Sequence, residues 1–129
     1  MTYFRRIIAV GAVGAFLAVA LGAFGAHGLK NVLPADLLTV YKKGVTYHFG
    51  HSLALILTGI TALVLGGGPF FRWSALAFGV GILLFSGSLY ILAISGVRTW
   101  GAVTPLGGIS FMTGWLLFAL GALRAKFSD

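Results

Sequence analysis

Residues 7–26 read IIAVGAVGAFLAVALGAFGA, an uncharged run from Ile7 to Ala26 that follows Arg5-Arg6 and precedes His27. A hydrocarbon core about 30 Å thick takes about 20 helical residues to cross, and this run has that length. Paired arginines before an apolar stretch also describe a signal peptide, whose apolar region is shorter, about 7–15 residues. Here the stretch is longer and three comparable ones follow, so we read it as a retained membrane helix.

The second stretch lies at about 44–65, the third at 73–95 and the fourth at 104–125. Gly66-Gly67-Gly68-Pro69 ends the second helix in a short turn. Thr104-Pro105 reads as an N-cap followed by proline at the first helical position, where no amide donor is needed. Pro34-Ala35-Asp36 reads as a helix start, with Asp36 near the positive end of the dipole. Leu37, Leu38, Tyr41, Val45 and Phe49 then recur at helical spacing, with Lys42 and Lys43 off that stripe. Residues 34–43 are therefore expected to form an amphipathic helix, lying at the interface or running straight into the second span. The expected fold is all-α: one integral membrane four-helix bundle over residues 1–129.

Composition agrees. Of 129 residues, 59% are hydrophobic and 9% charged, and the mean hydropathy is +1.03. A soluble domain carries about 25% charged residues, so this chain cannot cover a water-facing surface. With no cysteine, thiolate catalysis, disulfides and cysteine-held metals are excluded. The two acids are Asp36 and Asp129, which leaves no paired carboxylates and no carboxylate proton relay. The net charge of +7 comes from basic residues scattered between apolar runs. That pattern suits membrane flanks rather than a phosphate-tracking stripe, so no nucleic-acid partner is expected.

Arg5, Arg6, Arg72, Arg124 and Lys126 fall on the side of both termini, against Lys30, Lys42, Lys43 and Arg98 on the other. Five against four places both termini in the cytoplasm by the positive-inside rule. Trp73 and Trp100 fall at opposite interfaces as an aromatic belt requires. Trp115 lies near mid-depth, where its indole N–H needs a partner. Gly14, Ala18, Gly22 and Ala26 form a small-residue row, with Gly11 and Ala15 beside it. Ala75/Gly79, Ala77/Gly81 and Ser110/Gly114 repeat the pattern later. Such rows allow close helix approach, either within one bundle or between copies in a homo-oligomer. Phe24-Gly25-Ala26-His27 can also be laid against Phe85-Ser86-Gly87-Ser88, a faint two-helix repeat.

Helix direction gathers the polar residues. The end of the first span, the start of the second, the second half of the third and the start of the fourth share one side of the membrane. That brings His27, Tyr47, His51, Ser86, Ser88, Tyr90, Thr104 and Ser110 to one half of the bilayer, with Trp115 just below. His48 and His51, three apart, fall on one helical face. Three readings follow. The cluster locks helices by hydrogen bonds, binds a small ligand, ion or lipid headgroup with a role in transport, or holds a metal or haem through His27 with His48 or His51. No acid is placed to orient a histidine, so no catalysis and no resident cofactor are expected. Gly22-x-x-Gly25-x-x-Gly28 ends a membrane helix and is not a phosphate loop.

Four stretches carry a family resemblance: Gly22-Ala23-Phe24-Gly25-Ala26-His27-Gly28; Tyr47 with His51; Phe85-Ser86-Gly87-Ser88-Leu89-Tyr90; and Thr104-Pro105-Leu106-Gly107-Gly108 with Ser110-Phe111 and Gly114-Trp115. In this order they resemble the small four-helix membrane proteins of the YgdD and transmembrane protein 256 type. The resemblance implies four helices, a bacterial inner-membrane address and no assigned activity. His48 departs from it, since members tend to carry glutamine there. A metal site on His48 is thereby less credible than a pocket built on His27 and His51. The expectation is a non-catalytic inner-membrane protein in contact with lipid. A small-ligand site at the cluster is the leading role, and an accessory subunit docking a membrane partner is the alternative.

Overall fold

The computed structural model describes residues 1–126; Asp129 lies outside the described residues. Four helical stretches, Thr2–Leu29, Ala35–Leu65, Pro69–Ser95 and Arg98–Arg124, are long and apolar enough to cross a membrane. In detail, α1 (Thr2–Phe24) runs into a π-helical turn at Gly25–Leu29, and α2 (Ala35–Leu65) follows as one unbroken helix. The third span is α3 (Pro69–Gly81), a second π turn (Ile82–Ser86) and α4 (Gly87–Ser95). A 3₁₀ turn at Arg98–Ala102 leads to α5 (Thr104–Arg124). The described residues form no strand.

The amphipathic stretch at 34–43 runs straight into the second span. At about 1.5 Å per residue, the 31 residues of α2 measure about 46 Å, so its first turns extend past the hydrocarbon. α2 ends where the glycine run begins. Gly66 takes the left-handed conformation (φ 86°) that closes a helix, and Pro69 opens α3. Thr104 does not cap α5: Val103 holds the N-cap position and Thr104 is already helical. Its hydroxyl is used elsewhere, as described below. Pro105 thus stands second in the helix, where its missing N–H still costs no bond.

α2 is the central element. α1 packs along one flank, the third span packs along another, and α5 rests chiefly on the third span. Lipid is as apolar as leucine, so association depends on close packing rather than water exclusion. Gly11 and Gly14 lie against Ser52 and Ile56 of α2, and Ala18 is fully buried, so the small-residue row of α1 is used inside the chain. Gly25, rather than Ala26, continues it by lying against the ring of Tyr41. The core forms layers along α2. Phe4, Ala62 and Phe71 lie near the termini, Leu55, Phe78 and Phe111 in the middle, and Leu29, Tyr41 and Ala93 near the far side. The two π turns occur in the first helix of each pair, offset by about one helical turn in the alignment of 24–27 with 85–88.

At the terminal side, Arg72 lies over the ring of Tyr3 (5.0 Å) and Arg124 over Phe70 (5.2 Å), joining cations to the aromatic belt. At the opposite side, Arg98 pairs with Asp36 at 2.7 Å, tying the 3₁₀ turn to the start of α2. That start lies outside the membrane-spanning part of the helix, and the hydrogen bond from Arg98 holds the Asp36 carboxyl below the usual carboxylate range.

Candidate functional site: two grooves divided by the second span

The polar residues do not form one cluster. α2 stands between them, and His48 and His51 turn to different neighbours. A separation of three residues rotates side chains by about 60° around the axis, and at the central helix that angle decides which span each one meets.

On one side, Nδ1 of His48 lies 2.9 Å from the hydroxyl of Tyr90 in α4. Tyr90 packs on Tyr41, ring centres 5.3 Å apart, and Tyr41 donates its O–H to the carbonyl of Leu21 at 2.6 Å. This chain of aromatic groups links the third span through α2 to the end of α1. His48 is only 7% exposed, and its Nε2 has no hydrogen-bond partner among the described residues. His48 and Tyr90 line a groove of about 600 Å³ between the first and third spans, floored by α2. Its other walls are apolar residues such as Val10, Leu17, Leu55 and Leu83, and no lining residue is charged.

On the other side, His51 faces α5. Its Nδ1 lies 2.9 Å from the carbonyl of Tyr47, and Nε2 accepts the indole N–H of Trp115 at 3.2 Å. A carbonyl only accepts and an indole only donates, so His51 is held as the neutral Nδ1–H tautomer. The ring stacks on Phe111 (centres 3.5 Å apart), and Tyr47 packs on Phe85 at 4.5 Å. These residues border a second groove of about 550 Å³ between α2 and α5. The partner that Trp115 needs at mid-depth is therefore His51, and both imidazole nitrogens are occupied.

Other expected site residues fasten helices. Ser88 donates to the carbonyl of Phe85 at 2.9 Å, so Thr104 supplies the hydrogen in the 2.6 Å bond between their hydroxyls. That bond takes the hydroxyl expected to cap α5. Ser110 donates to Ala77 O at 2.7 Å and Ser74 to Gly114 O at 2.8 Å, two bonds in opposite directions between α5 and α3. Ser86 is buried and its hydroxyl has no partner. His27 lies exposed in the first π turn, bonded to none of the cluster. No group of three histidine or carboxylate side chains converges among the described residues. A metal held by His27 with His48 or His51 has no geometric support, because the rings face different surroundings.

Two features were not anticipated: the groove with His48 and Tyr90 at one end, and the Asp36–Arg98 pair. The first has a signal in the sequence, since helix direction puts His48 and Tyr90 at a similar depth, but nothing in the spacing pairs them.

The comparisons with known proteins agree with this architecture. The model of the family described as "Protein of unknown function (DUF423)" matches residues 21–108. The chain belongs to the DUF423 family. It is similar to a UPF0382 membrane protein of Staphylococcus saprophyticus at 44% identity, over 93% of this chain and 98% of the relative. The UPF0382 membrane protein YwdK of Bacillus subtilis is 43% identical over 93% of this chain and 98% of its own length. The UPF0382 inner membrane protein YgdD of Escherichia coli is 41% identical, covering 95% and 92%. No solved structure matches. The family resemblance read from the four stretches is thus correct, and this DUF423 chain is a small multi-pass protein of the inner membrane.

Proposed function

We propose that this DUF423 protein is a non-catalytic membrane protein that binds a lipophilic small molecule in the groove between its first and third spans, with His48 as the polar anchor. One observation carries the reading. His48, only 7% exposed, lines an otherwise apolar groove of about 600 Å³, and its Nε2, which has no hydrogen-bond partner among the described residues, reaches the surface. A polar nitrogen that faces hydrocarbon without a partner is costly, because no water is there to satisfy it. The volume falls within the range of about 300–1,000 Å³ usual for small-molecule sites. An ion is disfavoured because no charged residue lines the groove. A conduit through one copy is disfavoured because the groove opens sideways between helices.

A second reading, an accessory subunit whose polar residues only lock its helices, draws support from the Ser88–Thr104, Ser110–Ala77 and Ser74–Gly114 bonds. It leaves Nε2 of His48 unexplained. Native mass spectrometry of the protein released from nanodiscs separates the two. Binding predicts a reproducible added mass that falls on His48→Leu. A bare chain in wild type and variant alike sinks the binding reading, and one co-purifying stoichiometric membrane protein then favours the accessory role.

A further inference from the structure

Resting on that reading, the shape and chemistry of the groove point to its ligand class, and we infer that it is an isoprenoid quinone. Three observations lead there.

The first is length. The groove is lined from Tyr3 to Leu17 along α1 and from Ala75 to Tyr90 along the third span. The two stretches run in the same direction and cover about 21–22 Å at 1.5 Å per residue. Half of a 30 Å hydrocarbon core is about 15 Å. The groove therefore runs past the midplane into the opposite leaflet, and its occupant carries an extended apolar tail about as long. A long polyprenyl tail fills such a groove.

The second is the head. The Tyr90 hydroxyl has no other acceptor among the described residues, so we assign it as the donor to Nδ1, which puts the imidazole proton on Nε2, a donor for one oxygen acceptor. With no charged residue along the groove, a phosphate, carboxylate or ammonium group meets no counter-charge there. A neutral carbonyl inside the hydrocarbon boundary fits, and a quinone has one on a flat apolar ring.

The third is the pair of glycines on the groove wall. Gly79 and Gly87 line it, and a Cβ on either meets nothing within 4 Å. Glycine inside a helix costs about 1 kcal/mol relative to alanine. At Gly107 or Gly114 a neighbouring helix requires that smallness, whereas at Gly79 and Gly87 only the open groove benefits from it.

The test uses the full chain in phosphatidylethanolamine and phosphatidylglycerol nanodiscs, titrated with long-tailed ubiquinone or menaquinone and read by native mass spectrometry. A polyprenol of equal tail length serves as the headless control. We expect one quinone per chain, held about tenfold better than the polyprenol, the size of one hydrogen bond. His48→Leu removes that preference and His48→Gln, which keeps an N–H donor, restores most of it. Gly79→Leu, whose Cβ meets nothing within 4 Å, puts a side chain into the groove and abolishes binding, while its helical circular dichroism stays that of wild type. Equal retention of quinone by His48→Leu overturns the head assignment. A phospholipid adduct lost on Gly79→Leu and not displaced by quinone overturns the quinone and leaves the lipophilic site standing. A dimer that dissociates on Gly79→Leu overturns it in favour of a second copy. No adduct sensitive to Gly79→Leu overturns both this inference and the binding reading.

Discussion

Trp115 donates its indole N–H to Nε2 of His51 at 3.2 Å, joining the fourth span to the second near mid-depth. The other nitrogen of the same ring is engaged by the carbonyl of Tyr47, one turn earlier in α2. Of the readings the sequence leaves open for His51, the helix-locking one describes its two contacts, while Nε2 of its neighbour His48 has no partner among the described residues.

The bridge contributes modestly to stability. Interhelical hydrogen bonds in membranes average about 0.6 kcal/mol, with a maximum near 1.7. A double-mutant cycle of His51→Phe and Trp115→Phe, followed by equilibrium unfolding in mixed micelles, is expected to give a coupling energy in that range. Strict additivity of the two single variants would show that the bond is not formed in the membrane.

Glycines divide into those that neighbours require and those that they do not. A Cβ on Gly107 meets the backbone of Phe85, which cannot move aside without shifting the third span. Gly107→Ala is expected to destabilise by about 1–3 kcal/mol, the usual cost of overpacking. Gly79→Ala is expected to be neutral or to stabilise by up to about 1 kcal/mol through helix propensity. Thermal unfolding of the pair decides the point, and equal effects would contradict the packing.

The Asp36–Arg98 contact holds two exposed segments together outside the hydrocarbon, with side chains 59% and 71% exposed. Because the chain has no cysteine, Asp36→Cys with Arg98→Cys gives a clean pair for a bifunctional thiol reagent spanning about 10 Å, the reach of the two side chains it replaces, and crosslinking is expected. The carboxyl is held low in the folded state, so any stability from this pair is present above the ordinary aspartate pKa of about 3.9. It disappears as the pH falls through the lower folded value. Screening keeps it small, and Asp36→Asn is expected to leave unfolding near neutral pH within error. Lack of crosslinking would place the 3₁₀ turn elsewhere.

Orientation rests on Arg5, Arg6, Arg72, Arg124 and Lys126 outnumbering the four cations opposite. In the same cysteine-free background, Thr99→Cys is expected to react with a membrane-impermeant thiol reagent on intact cells and Lys126→Cys only after lysis. The reverse pattern would invert the protein and put the His48 end of the groove toward the cytoplasm.

Much of the fold was legible because its signals are local. The run from Ile7 to Ala26, the Gly66-Gly67-Gly68-Pro69 turn and the stripe through Leu37, Tyr41 and Val45 each act through neighbouring residues, and each appears in the structure as a helix or its end. The site was less legible. Helix direction predicts His48, Tyr90, Ser88 and Thr104 at a shared depth, and His48 does meet Tyr90 and Ser88 does meet Thr104, but depth alone does not say which groups touch. Ser110 and Ser74 were spent on carbonyls of facing helices. Thr104 gave up a cap for Ser88. His27, at a suitable level, lies outside the bundle.

Local chemistry in the sequence therefore determined that this chain is four membrane helices, where they end and which half of the bilayer holds the polar groups. Those properties depend on hydropathy, glycine, proline and residue counting. Only the tertiary structure decided that α2 divides those groups into two grooves, closing His51 against Trp115 and leaving His48 open beside Tyr90. That outcome turns on about 60° of rotation around one helix and on which neighbour each face meets, and helix–helix contacts between distant segments set both.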